Sequence, residues 1–258
     1  MAVTGILADL PLLALVGAFC VTLMAGFVKG AVGFAMPMIM ISGLASFLPV
    51  ELALAALIVP TLLTNLIQAL RHGGKAAFKS VMRFRVYLGV MLVFLIHSAQ
   101  LVRVLPANIL FLIIGLSIVI LSLLQLLGWS PPLAGKRRNG IEALVAAFAG
   151  FVGGVSGVWG PPLVAYLTAI KTPKPDQMRI QGVVYGVGAV ALTLAHLKSG
   201  VLNAQSLPLS AALIAPALLG MALGLWVHDR LPQDRFRRAT LAVLVLAGLN
   251  LVRRGLLG

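Results

Sequence analysis

The stretch Gly26-Phe27-Val28-Lys29-Gly30-Ala31-Val32-Gly33, with Pro37 four residues on, decides how this chain is read. It returns in the second half as Gly150-Phe151-Val152-Gly153-Gly154-Val155-Ser156-Gly157, with Pro161 four residues on. Both copies lie inside long apolar runs. A repeated, glycine-interrupted hydrophobic segment in corresponding halves is the sequence mark of a transporter binding site. Glycine permits positive φ and close backbone approach. A proline just after it prevents the next helix from continuing the ladder of the first. A helix restarting there presents free N–H groups and a partial positive charge, which hold anions without any cationic side chain. The competing reading is helix packing, because Gly-xxx-Gly spacing also lets helices approach closely.

The rest of the chain supplies the setting. Of 258 residues, 60% are hydrophobic and 10% charged, and the mean hydropathy is +1.07. A soluble domain has no room to bury that much apolar surface, so the composition implies a polytopic membrane protein. Continuous apolar runs such as Leu110 to Leu124 predict helices, since barrel strands alternate polar and apolar residues. The formal net charge of +14 does not point to nucleic acid. The cations sit in short connections, where orientation signals belong. Cys20 is the only cysteine, so no disulfide or cysteine metal site forms within the chain. The run opening near Leu10 has no Lys or Arg before it and does not read as a cleavable signal.

Ten apolar segments are expected, at 8–28, 31–48, 50–69, 86–102, 107–127, 141–154, 158–170, 180–196, 208–227 and 239–252. The sixth and seventh are short for a bilayer core of about 30 Å and predict a re-entrant or partly spanning hairpin. A hydropathy count then gives 8–10 helices. Most of the 20 Lys and Arg fall in four connections: Arg71 to Arg85, Lys136 to Arg138, Lys171 to Arg179 and Arg230 to Arg238. Placing these in the cytoplasm puts both termini outside. Five segments per half is odd, so the halves enter from opposite faces and form an inverted repeat. A second internal match, Leu105-Pro106 with Gly115 and Leu231-Pro232 with Gly248, supports it. The organisation is thus an all-α membrane protein of two five-segment repeats. Residues 1–128 form the first, 129–140 a basic linker and 141–258 the second, and each repeat opens with a Gly-rich broken hairpin.

These features resemble the TauE/SafE sulfite-exporter family. The resemblance is carried by the paired Gly- and Pro-containing hairpins and by Gly224-Leu225-Trp226 leading to Arg230-Leu231-Pro232. The closing Phe236-Arg237-Arg238 run with Gly248 adds to it. It covers nearly the whole chain. It implies an inner-membrane transporter of small anions, such as sulfite, thiosulfate, sulfoacetate or other sulfonates, with no cofactor.

Candidate substrate-binding residues follow from the breaks and from polar residues on apolar helices. The breaks supply Gly30, Gly33, Pro37, Gly154, Ser156, Gly157 and Pro161. Ser156 is placed to donate to an oxyanion, and Trp159 either walls the site or anchors at an interface. Asn65 and Gln68 are three apart and share a helix face, with Thr61 and Thr64 nearby. Gln181 and Tyr185 are four apart and share another. Arg179 suits a bidentate anion contact, although it also serves the orientation signal. Lys29 lies in the first tip without a partner charge; it is either an anion ligand or a residue snorkelling to the hairpin's cytoplasmic end, and snorkelling is the favoured role because the second copy has Gly153 there. His72 and His196 close segments and read as interfacial, while His97 lies inside one. Glu51 and Glu142 fall at segment starts, where they suit the helix dipole. No acidic residue is expected mid-membrane, and there is no metal cluster, catalytic set or Walker A pattern. The chain therefore reads as no enzyme and no ATP-driven pump. Its expected partners are a small anion and the lipid bilayer, and a homo-oligomer is compatible with it. Two other functions fit less well: a drug/metabolite-type exporter of organic solutes, and a non-transporting accessory subunit.

Overall fold

In the computed structural model, residues 10–71, 73–128, 138–227 and 233–257 are described. Among these residues the chain is all helix and turn. Helices α1 (Leu12–Val32), α2 (Met36–Leu44), α3 (Val50–Leu70), α4 (Gly74–Arg83), α5 (Arg85–Leu101) and α6 (Ala107–Leu126) come from the first half. Helices α7 (Arg138–Ser156), α8 (Gly160–Ala169), α9 (Lys174–Ser199), α10 (Leu207–Ala212), α11 (Ile214–Val227) and α12 (Gln233–Leu257) come from the second. Among the described residues six spans are long and apolar enough to cross a bilayer, or seven if the bent pair α4–α5 counts as one.

That count falls below the expected ten apolar segments, and below the 8–10 of a hydropathy count, for a local reason. The segment expected over 31–48 holds a helix of only 9 residues, α2, and its counterpart α8 has 10. At 1.5 Å per residue each reaches about 15 Å, roughly half the hydrocarbon core. The segment expected as short over 141–154 extends instead through the 19 residues of α7. In each half, then, a long helix comes first and a half-length helix follows. The stretch Arg71 to Arg85, expected as a basic loop, is largely α4, turned 82° from α5. Its Lys, Ala and Met residues are good helix formers. The linker 129–140 lies almost wholly outside the described residues, as do Leu231, Pro232 and His72.

Small residues decide which helices meet. In lipid there is no hydrophobic drive between helices, so close van der Waals approach and hydrogen bonds hold them. Gly26 and Gly30 of α1 lie against the backbone of Ala217, Met221 and Gly224 of α11. Gly150 and Gly154 of α7 lie against Met91, Leu95 and Ser98 of α5. Gly115 of α6 faces Gly248 of α12, where an added Cβ would stand 2.8 Å from the Gly248 carbonyl. Helices α3 and α9 pack together at the centre, where the added Cβ at Gly182 would stand 2.8 Å from the Gln68 carbonyl.

Pro60 interrupts α3 and cannot donate to the Ala56 carbonyl. Ser210 of α10 repairs the gap: its hydroxyl donates to Ala56 O at 3.1 Å and accepts from Val59 N–H at 3.1 Å. Lipid offers no water to satisfy such groups, so a neighbouring hydroxyl must. The outer surface carries Leu13, Phe19, Val93, Leu194 and Leu246, all exposed.

Candidate functional site

The two glycine motifs end in the same backbone figure. Helix α1 stops at Gly33, whose φ of 82° is left-handed and whose N–H returns to Lys29 O at 2.7 Å. Helix α7 stops at Gly157, with φ 75° and its N–H on Gly153 O at 2.7 Å. Only glycine adopts that conformation without strain. After two intervening residues α2 and α8 begin, with proline in the first turn of each. Proline there lacks an N–H that would be unpaired anyway.

Both breaks line one small cavity. Phe34, Ala35, Pro37 and Met38 come from the first, and Gly157, Val158, Trp159, Gly160 and Pro161 from the second. Lys29, Asn65 and Tyr185 complete it. Space open to water centres amounts to about 30 Å³, room for about two waters. The positive ends of α2 and α8 therefore converge on the same spot.

Lys29 is buried there rather than snorkelling to a surface. Its Nζ donates to Thr64 Oγ1 at 3.0 Å and to Asn65 Oδ1. Thr64 in turn donates to Pro60 O at 2.7 Å. No carboxylate pairs with Lys29 among the described residues: Glu51 meets Arg103, Asp176 meets Arg179, and Glu142 accepts from the Tyr166 hydroxyl at 2.7 Å. The reason Lys29 turns inward is its helical register. Ala18, Thr22, Ala25 and Lys29 form one stripe on α1, and all four are buried. That stripe of small residues was a usable sequence signal for an inward-facing lysine.

Trp159 is also buried, which excludes an interfacial anchor, and its Nε1 has no hydrogen-bond partner among the described residues. Gln68 sits just beyond the cavity, its Nε2 donating to Gly33 O at 3.2 Å. Ser156 serves the break itself, donating to Val152 O at 2.6 Å and accepting from Val158 N–H at 3.2 Å. Gly30 and Gly154 face neighbouring helices, away from the cavity. Gln181 is buried at the start of α9 but does not line the cavity. Arg179 is partly exposed and paired with Asp176 at 2.8 Å. Of the sequence candidates, Pro37, Asn65, Gly157, Pro161 and Tyr185 thus meet at the cavity, and Gly33 and Gln68 flank it. Lys29, Phe34 and Trp159 join them.

His196 is fully buried instead of interfacial; its Nε2 lies 2.9 Å from Gly154 O, tying α9 to α7. His97 is exposed on α5, with Nδ1 2.7 Å from Val93 O. The cavity thus holds donors, the Lys29 amine, the Trp159 indole N–H and the backbone N–H groups that proline leaves at the two helix starts, beside the Asn65 amide and the Tyr185 hydroxyl.

Broken helices meeting at a buried, donor-rich cavity inside an apolar helical bundle define a multi-pass membrane protein of transporter type. The family comparison agrees with the geometry. The profile of the sulfite exporter TauE/SafE family matches residues 18–251, and the chain belongs to that family. No curated protein and no solved structure matches the chain.

Proposed function

We propose that this protein is a secondary transporter of a small anion, a sulfur oxyanion or organosulfonate of the sulfite, thiosulfate or sulfoacetate kind. One observation carries the reading: Lys29 is buried, without a carboxylate partner among the described residues, where the N-termini of α2 and α8 converge. A buried cation beside two positive helix ends calls for an anion to balance it. The anion takes the third N–H of Lys29, the Trp159 indole N–H and the free amides of the two helix starts. Asn65, whose Oδ1 is committed to Lys29, offers its Nδ2. The cavity, with room for about two waters, is of the order of the smallest such anion, and a longer sulfonate needs local opening. Tyr185, whose hydroxyl reaches Gly160 O at 3.4 Å, sits where that opening would be felt.

Alternating access follows from two repeats, residues 1–128 and 141–258, rocking about the breaks. Exchanging the halves turns the α1–α11 packing into the α7–α5 packing, and maps α3–α9 and α6–α12 onto themselves. That exchange supports an inverted repeat of five segments each. The basic connections support an inner-membrane location with both termini outside.

The test is flux into proteoliposomes of purified protein, offered sulfite, thiosulfate, sulfoacetate, lactate and a cationic amine. Saturable uptake of a sulfur anion, competed by other anions and not by the amine, is the expected result. Uptake of the amine alone would transfer the protein to the metabolite-exporter class, and no uptake of anything would leave an accessory subunit.

A further inference from the structure

One of the side chains lining the cavity is the Phe34 ring. Phe34 lies between Gly33, with φ 82°, and Ala35, with φ 75°. Ala35 carries a Cβ, so its left-handed backbone is held against a steric preference, and such strain collects where chains switch between arrangements. The Phe34 ring is buried and faces the cavity. The Arg237 guanidinium, from the start of α12, stands over the ring with Cζ 5.7 Å from the centroid. Arg237 itself does not line the cavity, and the ring touches both the cavity and the guanidinium.

Beyond the ring, Arg237 Nη2 donates to Gln125 Oε1 of α6 at 3.2 Å. Two more donors of this pair, Arg237 Nε and Gln125 Nε2, are buried with no partner among the described residues. Buried donors are almost always satisfied, so a pair left open marks a place for an acceptor. A planar guanidinium beside an amide N–H₂ matches the two-oxygen edge of an oxyanion.

We propose that Arg237 and Gln125 form a second oxyanion station, and that Phe34 is the gate between it and Lys29. This rests on the reading of the protein as an anion transporter. An anion arriving at the station draws the guanidinium into paired N–H···O bonds, which are stronger than its contact with the aromatic face. The ring then loses the contact that holds it across the cavity mouth, and the strained Gly33–Ala35 segment swings. The anion passes to Lys29, and the freed guanidinium recaptures the ring behind it. The gate opens only for a ligand that first satisfies Arg237.

Thiosulfate and methanesulfonate flux, measured in both directions in proteoliposomes of determined orientation, tests this. From the face bearing Arg237, Arg237→Gln should raise KM about tenfold, with KM from the opposite face held within about twofold. Arg237→Lys keeps the charge without the paired bonds and should give an intermediate one-sided shift, which a folding defect would not. Phe34→Ala should convert saturable uptake into a leak that rises linearly with anion concentration. Equal shifts on both faces, or none, would overturn the station. Saturable flux of the ordinary kind in Phe34→Ala would overturn the gate. Failure of the unaltered protein to move either anion would instead sink the transporter reading, and this inference with it.

Discussion

The two helix breaks share a backbone and differ in chemistry. Gly33 and Gly157 both cap a long helix in the left-handed conformation, and proline opens the half-helix after each. Around the first lie Lys29, Phe34 and Asn65; around the second lie Gly153, Val158 and Trp159. Where the first half has a cation, the second has a glycine, and an added Cβ at that glycine would stand 3.1 Å from the Trp159 ring. The repeated backbone makes the cavity, and the unrepeated side chains divide its labour. One break supplies charge, and the other supplies a rigid wall with one N–H.

The largest effect should come from removing the charge. Lys29→Met should lower anion flux by at least about 100-fold while the protein still reaches the membrane, because the cation meets the substrate directly. Ordinary flux in that variant would end the division of labour between the breaks. The backbone comparison gives the next effect. Gly157→Ala should cost about 1–2 kcal/mol in conformation and more from Leu57 Cδ1, 2.9 Å from the new Cβ. Gly33→Ala carries the conformational part only, with Gln68 Nε2 4.0 Å from the new Cβ. Thermal unfolding in detergent should therefore rank Gly157→Ala below Gly33→Ala, and the reverse order would show that the breaks are not packed alike. Trp159→Phe removes one N–H and keeps the wall, so KM should rise about tenfold with little change in maximal rate. The smallest effect belongs to Arg179→Gln, whose partly exposed ion pair with Asp176 is worth about 0–1 kcal/mol. Flux within about twofold of the unaltered protein is expected, and a large loss would return Arg179 to the site.

Much of this was legible in the sequence because the relevant forces are local. Gly-Pro spacing announces a break wherever it falls, and the breaks are where the repeat put them. Asn65 and Tyr185 were visible as polar residues on apolar helices. Gly30 and Gly154 belong to the same motifs, yet they face α11 and α5. One pattern thus serves both close packing and chain reversal, and spacing alone does not separate the two uses. His196 illustrates the remainder: on the chain it ends a segment, but in the fold it reaches the Gly154 carbonyl of another helix.

By itself the sequence determined the class, the helical character and the position of both breaks, since hydropathy and left-handed glycine are properties of a residue and its immediate neighbours. Only the tertiary structure decided that the breaks open on the same cavity, that Lys29 turns inward to Thr64 and Asn65, and that Arg237 stands behind Phe34. Those facts depend on which helices pack together. Packing is settled by close contacts between residues far apart on the chain, whose mutual orientation no local preference encodes.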